Sequence, residues 1–204
     1  MQHVIAWGIT GAGHLLRESF DMMETLKKRH PELKITTFIS SAGEEVCRLY
    51  GLIPKLNKIS EGGYLEEIIV DEGKGAYSKT GRFQLGRYRT LVVSPTTTNT
   101  IAKVVCGIAD NLITNAISQA TKARVPTLIV PVEEGFEALS SKTPLFIDRA
   151  VCEKCDVCIP EDSCPQKAIN QYEIDTFLCD GCGICIDMCP YNAIKTAEVR
   201  IKPR

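Results

Sequence analysis

Eight of the ten cysteines lie in the last quarter of the sequence, in two runs of the same form. In each run, two residues separate each of the first three cysteines, and a fourth cysteine follows directly before a proline. The runs are Cys152, Cys155, Cys158 and Cys164-Pro165, and then Cys179, Cys182, Cys185 and Cys189-Pro190. Three thiolates at this spacing can bind three irons of one [4Fe-4S] cluster, and the fourth iron takes a cysteine from elsewhere. The two runs therefore predict two clusters and a chemistry in which electrons pass one at a time.

The spacing resembles that of two-cluster ferredoxins, in which the fourth cysteine of each run binds the other cluster. On this chain the pattern assigns one cluster to Cys152, Cys155, Cys158 and Cys189, and the second to Cys179, Cys182, Cys185 and Cys164. The first run departs from the common form, because five residues precede its last cysteine where three are usual. This insertion is either a tolerated surface loop or a change in the exposure and potential of one cluster.

Two other interpretations of the cysteines fit the spacing less well. Structural zinc also binds C-x2-C pairs, but its four ligands usually come as two separated pairs. Disulfide-rich chains are typically short secreted domains, and the N-terminal residues Met1 to Val4 lack the basic segment of a signal peptide. We therefore expect iron–sulfur clusters and a reducing, cytoplasmic location.

Length and composition indicate two domains. The chain has 204 residues, of which 44% are hydrophobic, and this suffices for one well-packed domain at residues 1–145 and a smaller cluster-binding domain at 146–204. From Phe146 onward ten acidic residues face seven basic ones, and the remainder, with fifteen and seventeen, is nearly balanced. This balance does not favour nucleic acid or an anionic membrane as a partner. There is no run of 18 apolar residues, so no membrane span is expected.

Strand and helix patterns alternate in the larger part of the chain. Apolar runs predict strands at His3–Gly8, Lys34–Ser40, Leu91–Ser94 and Val125–Val130, with helical patterns between them, the last over Asn99–Ala123. Such alternation is typical of a Rossmann-like, doubly wound parallel sheet in an α/β domain. Each half of the C-terminal part indicates a strand, a cluster loop and a short helix, as in an α+β bacterial-type ferredoxin domain.

Small and hydroxyl-bearing residues follow three of these strands, where ligands of such sheets bind. Small residues let backbone N–H groups approach an oxyanion, and the following helix N-terminus favours negative charge. We therefore expect a ligand with a phosphate. The residues are Thr10, Gly11, Ala12 and Gly13 after the first strand, Ser40 after the second, and Ser94, Pro95, Thr96, Thr97, Thr98, Asn99 and Thr100 after the third.

The same segments resemble the homo-oligomeric flavin-containing cysteine decarboxylase superfamily. The resemblance covers about residues 1–135 and is carried by Gly8–Ala12, Ser40, the P-x-T-x-N-T-x-x-K stretch Pro95–Lys103 and the G-x-A-D-N-L stretch Gly107–Leu112. With a two-cluster ferredoxin attached, the chain is similar to the archaeal dihydromethanopterin reductase (acceptor) group and its archaeoflavoprotein relatives. The resemblance implies FMN between subunits of a trimer-based homo-oligomer. It also implies that the glycine turn, Ser40 and the serine–threonine loop hold the phosphate.

Two departures from the decarboxylases favour redox chemistry. Their active-site histidine before the P-x-T-x-N motif is missing from residues 80–93, and Pro131-Val132-Glu133-Glu134 replaces their P-x-M-N motif. The resemblance then implies that an external donor, a ferredoxin or similar protein, reduces the clusters. FMN, which handles both single electrons and hydride, would reduce dihydromethanopterin to tetrahydromethanopterin. A pure electron carrier and a flavin-dependent lyase or prenyl transferase are the alternatives, in that order.

No residue stands out as a proton donor. The glycine-rich stretch Ser60–Arg89 is expected to form a mobile loop, in which Arg82, Arg87 and Arg89 either contact an acidic substrate tail or are merely solvated. Helical spacing suggests that Cys47 and Cys106 are buried. Two interpretations remain open for each of two further residues. His14 either contacts the phosphate or flavin or is a partly solvated residue at a helix start. Trp7 either packs in the core or lies next to the flavin.

Overall fold

A computed structural model describes residues 3–72, 76–133, 139–170 and 173–201. Its larger unit is built on five parallel strands in the order β3-β2-β1-β4-β5. This confirms the doubly wound parallel sheet. The strands are β1 (Val4–Ile9), β2 (Lys34–Ile39), β3 (Ile68–Val70), β4 (Thr90–Thr96) and β5 (Thr127–Pro131).

Helices cover both faces of this sheet. Because side chains alternate along β1, Trp7 and Ile9 pack into one core with Phe20 of the first helix, whereas Val4 and Ala6 face a second core around Phe38 and Leu112. The Trp7 indole is fully buried and donates to the Ser94 carbonyl at 2.8 Å, so it is a core residue. The helices are α1 (Leu16–Arg29), α2 (Ser41–Leu49), α3 (Ile53–Ile59), α4 (Ala76–Thr80), α5 (Thr98–Val105) and α6 (Leu112–Lys122).

The stretch at 60–89 is not the mobile loop that its glycines suggested. It contains β3, α4 and a 3-10 turn at Gly81–Phe83, and Phe83 and Tyr88 are buried in the second core; residues 73–75 lie outside the described ranges. Arg82 donates to both carboxylate oxygens of Glu67, at 2.7 and 2.8 Å, and is thus engaged within the fold. The N–H of Arg89 donates to the carbonyl of Val4, which places this arginine at the amino edge of the sheet, away from the predicted ligand.

The helical stretch predicted from Asn99 to Ala123 consists of two helices. α5 ends at Val105, and Asn111 begins α6 with a capping box, in which its side chain accepts from the N–H of Thr114 at 2.9 Å. Cys106 lies in the break between them and is exposed, so its predicted burial is wrong. Cys47 is fully buried, as predicted.

The C-terminal unit repeats one structure twice. Asp148 and Asp175 occupy corresponding places: the N–H of each donates to an alanine carbonyl at 2.7 Å, and the carbonyl of each accepts from the N–H of the first cysteine of its run at 3.0 Å. Its short elements are β6 (Leu139–Lys142), β7 (Phe146–Ile147), α7 (Ile159–Asp162), β8 (Ile169–Asn170), β9 (Glu173–Ile174), α8 (Ile184–Met188), β10 (Ile194–Lys195) and β11 (Glu198–Ile201).

Antiparallel pairing closes this unit. β7 pairs with β10, β8 with β9, and β6 with β11. Leu145 packs with Ile169 and Ile194 in a small core, so residues on both sides of the predicted boundary at 145/146 contribute to it. The division into 1–145 and 146–204 stays a prediction. Among the described residues, no helix has the length and apolarity that crossing a membrane requires.

Candidate functional site

The carboxyl ends of β2, β1 and β4 form one edge of the sheet. The connections leave β1 and β4 in opposite directions along the sheet, which creates the crevice where ligands of open α/β sheets bind. Thr10 joins the two strand ends, because its hydroxyl donates to the Pro95 carbonyl at 2.8 Å and accepts from the N–H of Thr97 at 3.2 Å. The Ser94–Pro95 peptide bond, near the end of β4, is cis. The structure thus brings two of the three predicted segments into direct contact.

Glycines bring the third segment close. A Cβ at Gly11 would lie 2.7 Å from the Cβ of Ala42, and a Cβ at Gly43 would lie 2.7 Å from the carbonyl oxygen of Ile9. Larger residues at either position would separate the β1 turn from the start of α2. Ala42 and Gly43 were not among the predicted site residues, although they lie only two and three residues after Ser40.

Two helix N-termini point their free N–H groups at this edge. Ser40 caps α2, accepting from the N–H of Gly43 at 3.1 Å, and Thr97 caps α5, accepting from the N–H of Thr100 at 3.3 Å. The first N–H groups of each helix have no partner within the helix. Together with the turn Gly11–Gly13, they can bind an oxyanion.

Most hydroxyls of the predicted phosphate loop are engaged inside the protein. The Ser94 hydroxyl lies 2.7 Å from that of Ser19, and the Thr96 hydroxyl donates to the Val93 carbonyl at 2.8 Å. Thr98 bonds to the Glu133 carboxylate, while the Thr97 and Thr100 hydroxyls lie 3.1 Å apart. Their shared role in this structure is to shape the loop, and the exposed Asn99 extends from it.

His14 and Tyr50 complete the surroundings of the glycine turn. His14 is 5% exposed, and neither ring nitrogen has a hydrogen-bond partner among the described residues. A buried imidazole without a partner is costly, so this site fits an additional polar group beside the turn. The Tyr50 ring packs on Gly13, where a Cβ would lie 2.7 Å from the tyrosine hydroxyl. Burial contradicts a partly solvated His14, and only the fold reveals Tyr50.

One cavity of the C-terminal unit is lined by all four cysteines of one predicted cluster. It has a volume of about 230 Å³ and is lined by the thiol-bearing residues Cys152, Cys155, Cys158 and Cys189, together with apolar side chains such as Ile147 and Val157. Cys189 comes from the second run, so the two runs meet here. Burial raises the pKa of the Cys158 thiol.

A narrower cavity of about 10 Å³ gathers the other set. Its lining includes Cys164, Cys179, Cys182 and Cys185. Burial, followed by the neighbouring Cys179, raises the pKa of Cys185 to about 11, and burial also raises the pKa of Cys179. Thiolates in such surroundings need a nearby cation, and the irons of a cluster supply one. Among the described residues, no group of three or more His, Cys, Asp or Glu side chains is placed to bind a single metal ion. The cysteines instead line the two cavities.

Backbone N–H groups point at the sulfurs in both runs. Ala168 donates to the Sγ of Cys164 at 3.3 Å, and Ala193 donates to the Sγ of Cys189 at 3.4 Å. Gly181 adds a similar bond to Cys179 at 3.4 Å. Hydrogen bonds of this kind stabilise thiolate charge and tune cluster potentials. The environment of the cysteines therefore fits [4Fe-4S] clusters.

Comparison with known proteins agrees with both parts of the chain. The Flavoprotein family matches residues 1–138, and the 4Fe-4S binding domain family matches residues 172–195, which contain the second cysteine run. Dihydromethanopterin reductase (acceptor) from Methanosarcina mazei is 51% identical over 207 residues, covering 98% of this chain and 86% of that protein. The protein of that name from Methanocaldococcus jannaschii is 52% identical over 167 residues, covering 81% of this chain and 67% of that protein.

Solved structures support the fold of the larger unit. DmrB from Burkholderia xenovorans, in complex with FMN and described as a cubic protein cage for redox transfer, is 33% identical with a TM-score of 0.54, covering 67% of this chain and 69% of that one. The dodecameric FMN-dependent UbiX-like decarboxylase from Escherichia coli O157:H7 shares the fold alone, at 18% identity and a TM-score of 0.52, over 65% of this chain and 68% of that one. An iron–sulfur flavoprotein architecture is thus established, and the chain belongs to the family of oxidoreductases named dihydromethanopterin reductase (acceptor).

Proposed function

We propose that this protein reduces dihydromethanopterin to tetrahydromethanopterin with electrons from an external donor, a ferredoxin or similar protein. Two [4Fe-4S] clusters would carry the electrons to FMN. The observation that supports this most directly is the presence in one chain of an oxyanion-binding strand edge and two cysteine-lined cavities. The names of the two archaeal relatives supply the pterin.

In this proposal the chain's residues hold and insulate the cofactors. Cys152, Cys155, Cys158 and Cys189 ligate one cluster, and Cys179, Cys182, Cys185 and Cys164 ligate the other. The FMN phosphate binds the N–H groups of the Gly11–Gly13 turn and of the starts of α2 and α5. When bound, FMN accepts single electrons and donates hydride, which converts a one-electron supply into the two-electron reduction of a C=N bond.

Cofactor analysis and single-turnover kinetics test the proposal. Anaerobically purified protein should contain roughly eight irons per chain, as two [4Fe-4S] clusters require, with one FMN. After reduction, its flavin absorbance should return on mixing with dihydromethanopterin in a stopped-flow instrument. Reduced flavin that persists with this pterin would refute the substrate assignment and favour a carrier that passes electrons only between proteins.

We also propose that the protein is a homo-oligomer, with a trimer as its building block and FMN at the subunit interface. Strands of parallel sheets are normally covered on both faces, but β5 leaves Leu128 59% and Val130 37% exposed. A second copy of the chain would bury this face. The cubic cage of the Burkholderia relative supports self-assembly.

The exposed face offers a matched experiment. Leu128→Asp should yield a smaller species in light scattering coupled to size-exclusion chromatography, because burying the carboxylate in an apolar interface is costly. Leu85, which is 68% exposed at a different site, provides the control substitution Leu85→Asp. If both variants keep the mass of the unaltered protein, β5 is not the interface.

A further inference from the structure

The loop of the second cysteine run contacts the flavoprotein unit backbone to backbone. Gly51 follows α2 with a φ of +65°, and its N–H donates to the carbonyl of Arg48 at 2.9 Å, ending the helix. A Cβ at Gly51 would lie 2.5 Å from the Cα and 2.6 Å from the carbonyl oxygen of Asp180. Since real Cβ atoms do not approach so closely, this position requires glycine for space as well as for its left-handed conformation.

Gly181 lies on the other side of the same contact. A Cβ there would lie 3.3 Å from Nη2 of Arg17 and 3.5 Å from the carbonyl oxygen of Tyr50. Arg17 donates to that carbonyl at 3.2 Å, and its guanidinium lies 5.5 Å from the centre of the Tyr50 ring. The N–H of Gly181 meanwhile donates to the Sγ of Cys179. One residue therefore contacts both the flavoprotein unit and a predicted cluster ligand.

The internal repeat shows that the cluster loop itself does not require this glycine. Lys154 is the second residue after the first cysteine of its run, as Gly181 is in the other run. Both adopt left-handed backbone conformations, with φ of 52° at Lys154 and 71° at Gly181. The lysine is exposed. The first run thus accommodates a long charged side chain where the second run carries none, and the difference coincides with the contact to Tyr50 and Gly51.

Tyr50 joins this contact to the proposed flavin site. Its carbonyl faces Gly181, and its ring packs on Gly13 of the glycine turn. A single residue, Tyr50, therefore contacts both the second cluster loop and the predicted phosphate-binding turn. At the corresponding place in the first run, Lys154 is exposed.

We infer that the Gly51–Gly181 contact, supported by Arg17 and Tyr50, is a docking surface that sets the order in which the two clusters pass electrons. It holds the cluster of Cys179, Cys182, Cys185 and Cys164 beside the flavin, and leaves the cluster of Cys152, Cys155, Cys158 and Cys189 to receive electrons from the donor. Each transfer moves one electron and breaks no bond. Gly51, Gly181, Arg17 and Tyr50 act as positioning residues. The inference rests on the proposed cofactors but not on the pterin.

Gly181→Lys is the decisive variant, because the first run shows that a cluster loop tolerates lysine at this place. The control is Gly86→Lys, whose glycine has a φ of +63° and open space within 4 Å. Holoprotein of each variant is analysed for iron and FMN, and flash photoreduction with a deazaflavin, a one-electron donor, then gives the rate of flavin reduction. Hydrogen exchange of peptides covering 48–52 and 179–182 reports docking without any turnover.

We expect Gly181→Lys to keep its iron and FMN, to lose exchange protection at both peptides, and to reduce its flavin about tenfold more slowly, because a docked cluster becomes merely tethered. Gly86→Lys should match the unaltered protein. Unchanged protection, or lost protection with an unchanged rate, overturns the inference. If Gly181→Lys loses iron, Gly51→Ala against Gly86→Ala decides by the same two readouts, since Gly51 lies outside the cluster unit. Failure of the pterin reaction would leave these results standing.

Discussion

His14 offers the sharpest test of the proposed flavin site, because its two expected effects have opposite signs. The side chain is 5% exposed with no partner for either ring nitrogen among the described residues. Leaving a buried polar group unsatisfied costs about 1–3 kcal/mol. Replacement by leucine, which fills a similar volume without polar atoms, should therefore leave the unfolding free energy of the flavin-free protein unchanged or raise it by up to about 1 kcal/mol.

The same substitution should weaken flavin binding. If a bound flavin gives His14 its hydrogen bond, losing that interaction costs about 1–3 kcal/mol, which corresponds to a dissociation constant roughly 5- to 150-fold higher. Urea unfolding of flavin-free protein and fluorescence titration with FMN measure the two quantities. The control is His30→Leu, because the His30 side chain is 57% exposed and should change neither. An unchanged FMN affinity together with stability lowered by more than about 1 kcal/mol would show that His14 serves only the fold.

Three further predictions address the cysteines and the core. Cys164→Ser and Cys179→Ser should each remove about half of the iron and give the same electron paramagnetic resonance spectrum, because crossed ligation assigns both residues to one cluster; different residual signals would argue against crossing. Glu67→Gln should lower the unfolding free energy by about 1–3 kcal/mol at pH 7. The arginine bonded to Glu67 holds the pKa of this carboxylate below its ordinary value, so its contribution is present above about pH 4.3 and disappears as the pH falls further. Denaturation should show a difference in unfolding free energy between the variant and the unaltered protein at pH 7, and a smaller difference at pH 3. Burial raises the pKa of Cys47 to about 12, so mass spectrometry after iodoacetamide treatment at pH 8 should find it unlabelled in native protein, while the exposed Cys106 reacts; labelling of Cys47 before unfolding would show that its burial is not maintained.

Local patterns predicted the elements whose signals are local. The apolar runs around Trp7 and Phe38 correspond to β1 and β2, and the cysteine spacing identified a repeat whose corresponding hydrogen bonds agree within each pair. β3 was missed because it is three residues long and lies among polar residues and glycines. Its pairing with Thr37–Ile39 defines it, and such pairing is not visible in the composition of the segment. Cys106 was misplaced because the helical periodicity continued past the end of α5 at Val105.

Contacts between distant segments could not be predicted from spacing. Tyr50 has the sequence environment of an ordinary helix end, yet its ring covers Gly13 and its carbonyl faces Gly181. Gly51 and Gly181 each resemble a routine turn glycine when considered alone. Their role in the contact between the two units is recognised only from the fold, which brings them together, and from comparison with Lys154 at the corresponding place in the first run.

The hydroxyl-rich segment Ser94–Thr100, at the end of β4 and the start of α5, shows why residue types alone describe a predicted site incompletely. Serine and threonine hydroxyls suggested direct donors to a phosphate, but those of Ser94 and Thr96 bond within the protein, and Thr97 caps α5. These bonds fix the loop so that the free N–H groups at the start of α5 face the same edge as those of the Gly11–Gly13 turn. A phosphate there would be held chiefly by backbone donors and helix N-termini. The side chains then matter through loop shape, so removing one hydroxyl should act on stability and flavin affinity together, whereas losing His14 should separate the two.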